Sequence, residues 1–182
     1  MKQRLLFLGP PGAGKGTQAE RICNSNDLLH LSTGDLLRSE VAANTPLGKE
    51  AADVMNRGEL VSDELVLAIV KYKLQSQEGG WLLDGFPRNV HQAEELKTLL
   101  EQLKQPIESV VLLELEDSEL IQRLISRGRA DDNEEVVRHR LDVYREKTEP
   151  LIEYYRNQSL LVSVEASGSV QEIAARIETV LI

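Results

Sequence analysis

A short apolar run, Leu5-Leu6-Phe7-Leu8, feeds directly into Gly9-Pro10-Pro11-Gly12-Ala13-Gly14-Lys15-Gly16-Thr17, and that junction restricts the chain more than any other segment. Glycines at 9, 12, 14 and 16 let the backbone turn its N–H groups inward, while Lys15 sets an ammonium at the positive end of a following helix. A strand, loop and helix of this kind make a phosphate cradle, suited to the β- and γ-phosphates of a nucleoside triphosphate. A glycine-rich surface turn would need neither a lysine at that spacing nor a strand immediately before it.

Charge and composition narrow the partners. The 182 residues fit one domain large enough to bury a real core. With a net charge of -9 and a pI near 4.9, any phosphate-binding charge must be local. An extended nucleic-acid surface is not expected, and the partners should be small molecules. Lys2 and Arg4 precede only four apolar residues before the glycine loop, too few for a signal-peptide core, and no later run is long enough to span a membrane. A cytoplasmic location is therefore expected. The single cysteine, Cys23, leaves no internal disulfide and no cysteine-rich zinc site, and suits a small apolar position on the first helix.

Apolar runs then alternate with helical patterns. Arg4 to Leu8, Leu28 to Leu31, Trp81 to Leu83, Val110 to Leu115 and Leu160 to Val164 read as buried strands. Between them, Leu65, Val66, Ile69, Val70 and Leu74 recur at helical spacing, as do Val137, Leu141 and Tyr144. This order predicts a three-layer α/β/α fold of the P-loop kind: a five-stranded parallel sheet covered on both faces, with ligands at the carboxyl ends of the strands. Residues 32–61 carry helical pattern without a strand, and 127–133 form a short polar stub; both read as covers over a site. Residues 1–31, 62–126 and 134–182 supply the core of a single domain.

Arginine is concentrated where phosphate chemistry would want it. Arg123, Arg127, Arg129, Arg138, Arg140 and Arg145 fall in one window that contains no lysine. The planar guanidinium fork matches phosphate oxygens in pairs, which an ammonium cannot do. Arg123 and Arg127 sit four apart, on one face of a helix. A surface helix balanced by Asp131, Asp132, Glu134, Glu135 and Asp142 is the alternative, and periodicity does not choose among Arg138, Arg140 and Arg145. Asp132 or Asn133 would start a helix, or Asp131 and Asp132 would pair with arginines. Asp84 ends the run Trp81-Leu82-Leu83, so it should emerge beside the phosphate loop. One carboxylate there, acting through water, together with substrate phosphates is enough for magnesium.

Lys15 is followed by Gly16, with the hydroxyl one place later at Thr17, a spelling that separates one kinase branch from generic phosphate-loop proteins. Ser32-Thr33-Gly34-Asp35-Leu36-Leu37-Arg38, Leu60-Val61-Ser62-Asp63-Glu64-Leu65-Val66, Asp84-Gly85-Phe86-Pro87-Arg88 with Gln92, and the Arg123 to Arg140 segment follow in order. Together, and almost end to end, they resemble the adenylate kinase family in its short-lid form. The resemblance implies reversible, magnesium-dependent phosphoryl transfer, ATP plus AMP to two ADP, by a monomer without zinc that serves adenine nucleotide homeostasis and salvage. It assigns residues 32–61 to a nucleoside monophosphate segment and 127–133 to the lid. ATP would meet Gly12, Ala13, Gly14, Lys15, Gly16, Thr17, Arg123, Arg127 and Gly168. AMP would meet Thr33, Arg38, Glu59, Leu60, Val61, Gly85, Phe86, Pro87, Arg88, Gln92, Arg129 and Arg140. Lys15, Arg88, Arg127, Arg129 and Arg140 would surround the transferring group, with Arg138 and Arg145 in solvent.

No covalent nucleophile is needed, because an acceptor phosphate is already anionic; the work is alignment and charge neutralisation. Two positions bear on the acceptor base. Thr33 and Gln92 match the adenylate kinases, whereas Asn89 matches the related uridylate and cytidylate kinases, unless it simply caps a helix beginning near Val90. Gly168 is explained equally by a plain turn. The lid is shorter even than the short-lid pattern, with Gly128 running straight into Arg129. A UMP or CMP kinase of the same fold is one alternative. A non-catalytic nucleotide sensor is another, although the chain has no Asn-Lys-x-Asp motif and a sensor would not need a second arginine-lined site.

Overall fold

The computed structural model describes residues 1–130 and 132–182. Its elements run β1 (Arg4–Leu8), α1 (Lys15–Asn26), β2 (Leu29–Ser32), α2 (Thr33–Ala42), α3 (Pro46–Asn56), α4 (Asp63–Gln75), β3 (Trp81–Asp84), α5 (Val90–Gln102), β4 (Ser109–Glu114), α6 (Asp117–Arg127), α7 (Glu134–Val143), α8 (Pro150–Arg156), β5 (Leu161–Glu165) and α9 (Val170–Leu181), with a π-helical turn at Tyr144–Thr148 joining α7 to α8. Each of the five sequence-predicted strands is present. Their ends move by about one residue, as expected where hydrogen bonding rather than hydrophobicity sets a boundary.

The strands form one parallel sheet in the order β2-β3-β1-β4-β5. Alternation along β1 and β4 divides the core in two, because successive side chains of a strand point to opposite faces. Leu5, Phe7, Val111 and Leu113 pack with Ala19, Ile22 and Cys23 of α1, Leu120 of α6 and Ile173 and Ile177 of α9. Leu6, Leu8, Val110 and Leu112 pack on the other side with Val66, Val70 and Leu74 of α4, Leu96 and Leu100 of α5, and Leu151 of α8. Strands buried on both faces read as continuous apolar runs, which is why they were legible. Cys23 is buried among these apolar groups; burial, with a smaller push from Asp84, raises its thiol to about 12, so it packs as a hydrophobe.

Two features of this frame position the site. In the β1–β3 register Phe7 pairs with Asp84, so the loop after β1 and the carboxylate ending β3 emerge side by side. The helices of 32–61 start without a long linker: Ser32 caps α2 through the Asp35 N–H, and Thr45 caps α3 through the Gly48 N–H. No helix of the described residues is long and apolar enough to cross a membrane.

Candidate active site

The cradle is built as its spacing implies. Gly9, at φ +146°, lies so close to β4 that a Cβ would stand 2.6 Å from the Leu113 carbonyl oxygen, so no other residue fits. Gly14, in the left-handed region, opens α1. Lys15 Nζ folds back over the loop and donates to the carbonyls of Gly9 at 2.8 Å and Pro10 at 3.0 Å. Loss of water lowers its pKa to about 8; Arg88, Arg140 and Arg127 push the same way, while Asp84 opposes them. Three arginines thus act on this ammonium from chain segments far from the loop.

A cavity opens beside Lys15. It is lined by Thr33 and Arg38 of α2, by Glu59, Leu60 and Val61, by Gly85, Phe86, Pro87 and Arg88, by Gln92 of α5 and by Arg140 of α7. Twelve of the sequence-predicted positions, Lys15 included, therefore share one space. Arg88 is anchored at both ends: its Nε donates to Gly85 O at 2.7 Å, and its carbonyl accepts from the Thr148 hydroxyl at 2.6 Å. Arg38 pairs with Asp35 at 2.5 Å. Asn89 caps α5 through the Gln92 N–H at 2.8 Å, the structural role weighed for it against a pyrimidine preference.

Asp132 and Asn133 divide the two roles weighed for them. Asn133 caps α7, accepting from the Val136 N–H at 3.0 Å. Asp132 turns inward, its carboxylate fully buried; it accepts from Arg127 at 2.7 and 2.8 Å, from Arg140 at 3.3 Å and from the Arg129 N–H at 3.0 Å. Burial works to raise this carboxyl, but these hydrogen bonds and the Arg127 and Arg140 charges outweigh it and hold Asp132 below the ordinary carboxylate range. Asp131 lies outside the described residues. Residues of 127–133 and α7 also meet the 32–61 segment: His139 lies 2.7 Å from Glu59, Arg129 reaches to 4.0 Å from Asp35, and the Arg140 stem packs on Gly58.

Not every predicted residue lines the cavity. Arg123 donates to Glu119 and, at 2.9 Å, to the carbonyl of Ala166, which puts it against the loop holding Gly168. That glycine has φ +97°, and a Cβ there would meet the Glu172 carboxylate of the α9 capping box at 2.8 Å. The turn reading is therefore sufficient for Gly168. Arg138 pairs with Glu134, and Arg145 with Asp117 and Asp142, all exposed and away from the cavity. Asp84 is buried, with Oδ2 at 3.9 Å from His30 Nε2 and in contact range of a Cβ built on Gly16. The sequence assigned no site role to His30 or Thr148, nor to Asp63 and Tyr144, which stood only in a motif and a helical stripe. Thr148 and Asp63 act on residues 60 and 29 positions away, and no local pattern marks such a pairing.

Comparison with known proteins points to one family. A family model described as "Adenylate kinase" matches residues 7–160. The chain is 73% identical over 178 residues, 98% of each sequence, to "Adenylate kinase" of Prochlorococcus marinus (strain MIT 9313). It is 71% identical over 182 residues, the whole of both, to that of Parasynechococcus marenigrum (strain WH8102). To that of Prochlorococcus marinus (strain MIT 9211) it is 60% identical over 182 residues, covering 100% of this chain and 98% of the relative. A match over the full length, on a sheet and phosphate loop of this design, means that the chain belongs to the adenylate kinase family.

Proposed function

We propose that the chain transfers the γ-phosphoryl group of ATP to the phosphate of AMP, reversibly, giving two ADP, as a cytoplasmic monomer. The observation that carries this is one cavity lined by Lys15 together with Arg38, Arg88 and Arg140. A cradle alone binds a nucleotide; further arginines in the same space call for a second phosphate.

In this reading the loop N–H groups of 12–17 and Lys15 hold the β- and γ-phosphates. The Lys15 ammonium exchanges the carbonyls of Gly9 and Pro10 for phosphate oxygens. Arg38 and Arg88 hold the acceptor phosphate, while Arg127, Arg129 and Arg140 meet the group in flight. Their forks are already aimed by Asp35, Gly85 and Asp132, so little ordering remains when substrate arrives. Thr33, Gln92 and the backbone of 59–61 face the acceptor base, and Arg123 with the Gly168 loop faces the donor base. Closing the lid excludes water that would otherwise take the phosphoryl group.

The residues suit magnesium. No group of three or more His, Cys, Asp or Glu gathers among the described residues; the donor nearest the loop is one carboxylate, Asp84. Magnesium keeps several waters and is completed by nucleotide phosphates, so Asp84 would hold it through water. When bound, the ion neutralises charge on the donor oxygens.

Initial rates with magnesium-ATP against AMP, UMP, CMP and GMP, with products separated directly, test the reading. Strong AMP preference is expected. Preference for UMP or CMP would overturn the base assignment, and no transfer to any acceptor would overturn the whole function.

A further inference from the structure

Asp63, the first residue of α4, is a charged side chain beside the acceptor site with no part in the chemistry above. Its Oδ1 accepts from Gln92 Nε2 at 2.7 Å and from Asn89 Nδ2 at 3.2 Å. On its other side, the Gln92 amide oxygen accepts from the Arg88 N–H at 2.6 Å. A carboxylate can only accept and a backbone N–H can only donate. Turning the amide over would set oxygen against carboxylate and NH2 against N–H, so these two contacts admit one orientation. Gln92 itself is 2% exposed, leaving little room for a different rotamer.

Orientation matters because an amide reads a purine edge with one acceptor and one donor. A 6-amino purine offers an amino donor beside a ring-nitrogen acceptor; a 6-oxo purine offers the reverse, an oxygen acceptor beside an N–H donor. A freely turning glutamine would serve both. We infer that Asp63 is a positioning residue that fixes the polarity of the Gln92 amide and thereby makes the acceptor site select 6-amino over 6-oxo purines. Thr33 can work in the same sense: with its hydroxyl proton turned toward Asp84 O, 3.5 Å away, its oxygen is left to accept from the base. The inference rests on the reading that Gln92 faces the acceptor base.

The test compares AMP with inosine monophosphate, which inverts the 6-edge and changes nothing else. Loss of one charge-assisted hydrogen bond should lower the AMP-to-inosine-monophosphate ratio of kcat/KM about tenfold in Asp63→Ala, mainly through KM, with the KM for ATP unchanged. Asp63→Ser, which keeps a polar helix start, should behave alike. A merely structural role for Asp63 would move both acceptors together and leave the ratio within about twofold, which overturns the inference. An unchanged ratio in Gln92→Ala overturns it too, since the lock would then act on a residue that reads nothing. Failure of the native enzyme to use AMP instead sinks the proposed function. In that case the side-chain NH2 resonances of Gln92 still decide the lock itself: one strongly shifted proton is expected, lost in Asp63→Ala, and two ordinary, exchanging protons refute it.

Discussion

Lys15 offers a quantitative test of the cradle, because its ammonium sits in a place that disfavours its charge until a phosphate arrives. Dehydration, reinforced by Arg88, Arg140 and Arg127, leaves its pKa at about 8. At pH 8 about half of the free protein therefore carries a neutral lysine; at pH 7 the neutral fraction is about 0.1, and at pH 9 about 0.9. Triphosphate oxygens replacing the Gly9 and Pro10 carbonyls would return the group to full protonation. Nucleotide binding should then take up about 0.5 proton at pH 8, rising toward 0.9 at pH 9 and falling toward 0.1 at pH 7. Titration calorimetry of a non-hydrolysable ATP analogue, in buffers of different ionisation enthalpy, reads this number as a slope. Lys15→Met should abolish the uptake even at nucleotide concentrations that saturate the weakened site. Uptake near zero at pH 8, or the same uptake in Lys15→Met, would refute the reasoning.

Three further predictions concern the groups around that lysine. Asp132→Ala removes the acid shared by Arg127 and Arg140 and should destabilise the fold by about 2 kcal/mol in denaturant melts at pH 7. The Asp132 carboxyl lies below its ordinary value, so its contribution is present above the unfolded-state pKa and disappears as pH falls through the native one; the gap between the two melts should close on acidification. Gly9→Ala must place a Cβ 2.6 Å from the Leu113 carbonyl oxygen, and is expected to cost about 2 kcal/mol of stability, measured by thermal melting, together with nucleotide binding. Arg88→Ala should raise the KM for AMP by about a hundredfold, the worth of a charge-assisted phosphate contact, and leave that for ATP and the melting curve nearly unchanged; equal loss for both substrates would count against a dedicated acceptor-phosphate role.

What was legible in the sequence was whatever is written in neighbouring residues. Leu5 to Leu8 followed by Gly9 to Thr17 announces strand, cradle and helix because each needs only local chemistry. The apolar runs at Trp81 and Val110 announce buried strands for the same reason. Asp132 and Asn133 were indistinguishable, since either side chain can cap a helix. Only the placement of Arg127 and Arg140, brought to the same spot by α6 and α7, selects the acid as their partner and leaves the amide to cap. The Thr148 clamp on Arg88 was illegible because a π-helical turn, on which hydrophobic periodicity is silent, directs it there. Asp63 stood in the sequence only as one member of the Leu60 to Val66 motif, and no local pattern marks its contact with Gln92, 29 positions away.

The acidic balance of the chain takes on meaning in this light. Several of the arginines proposed to meet phosphate already hold a carboxylate: Arg38 has Asp35, and Arg127 and Arg140 share Asp132. Each acid fixes a guanidinium in place, which lowers the ordering entropy lost on binding, but it also offers the arginine much of what a phosphate would offer. Net affinity for a ground-state nucleotide should thereby be reduced, while the charge that shifts onto the bridging oxygen during a largely dissociative transfer would still draw the arginines from their carboxylates. Binding energy would then be withheld from the substrates and expressed in the transition state, which is the condition for fast transfer in either direction.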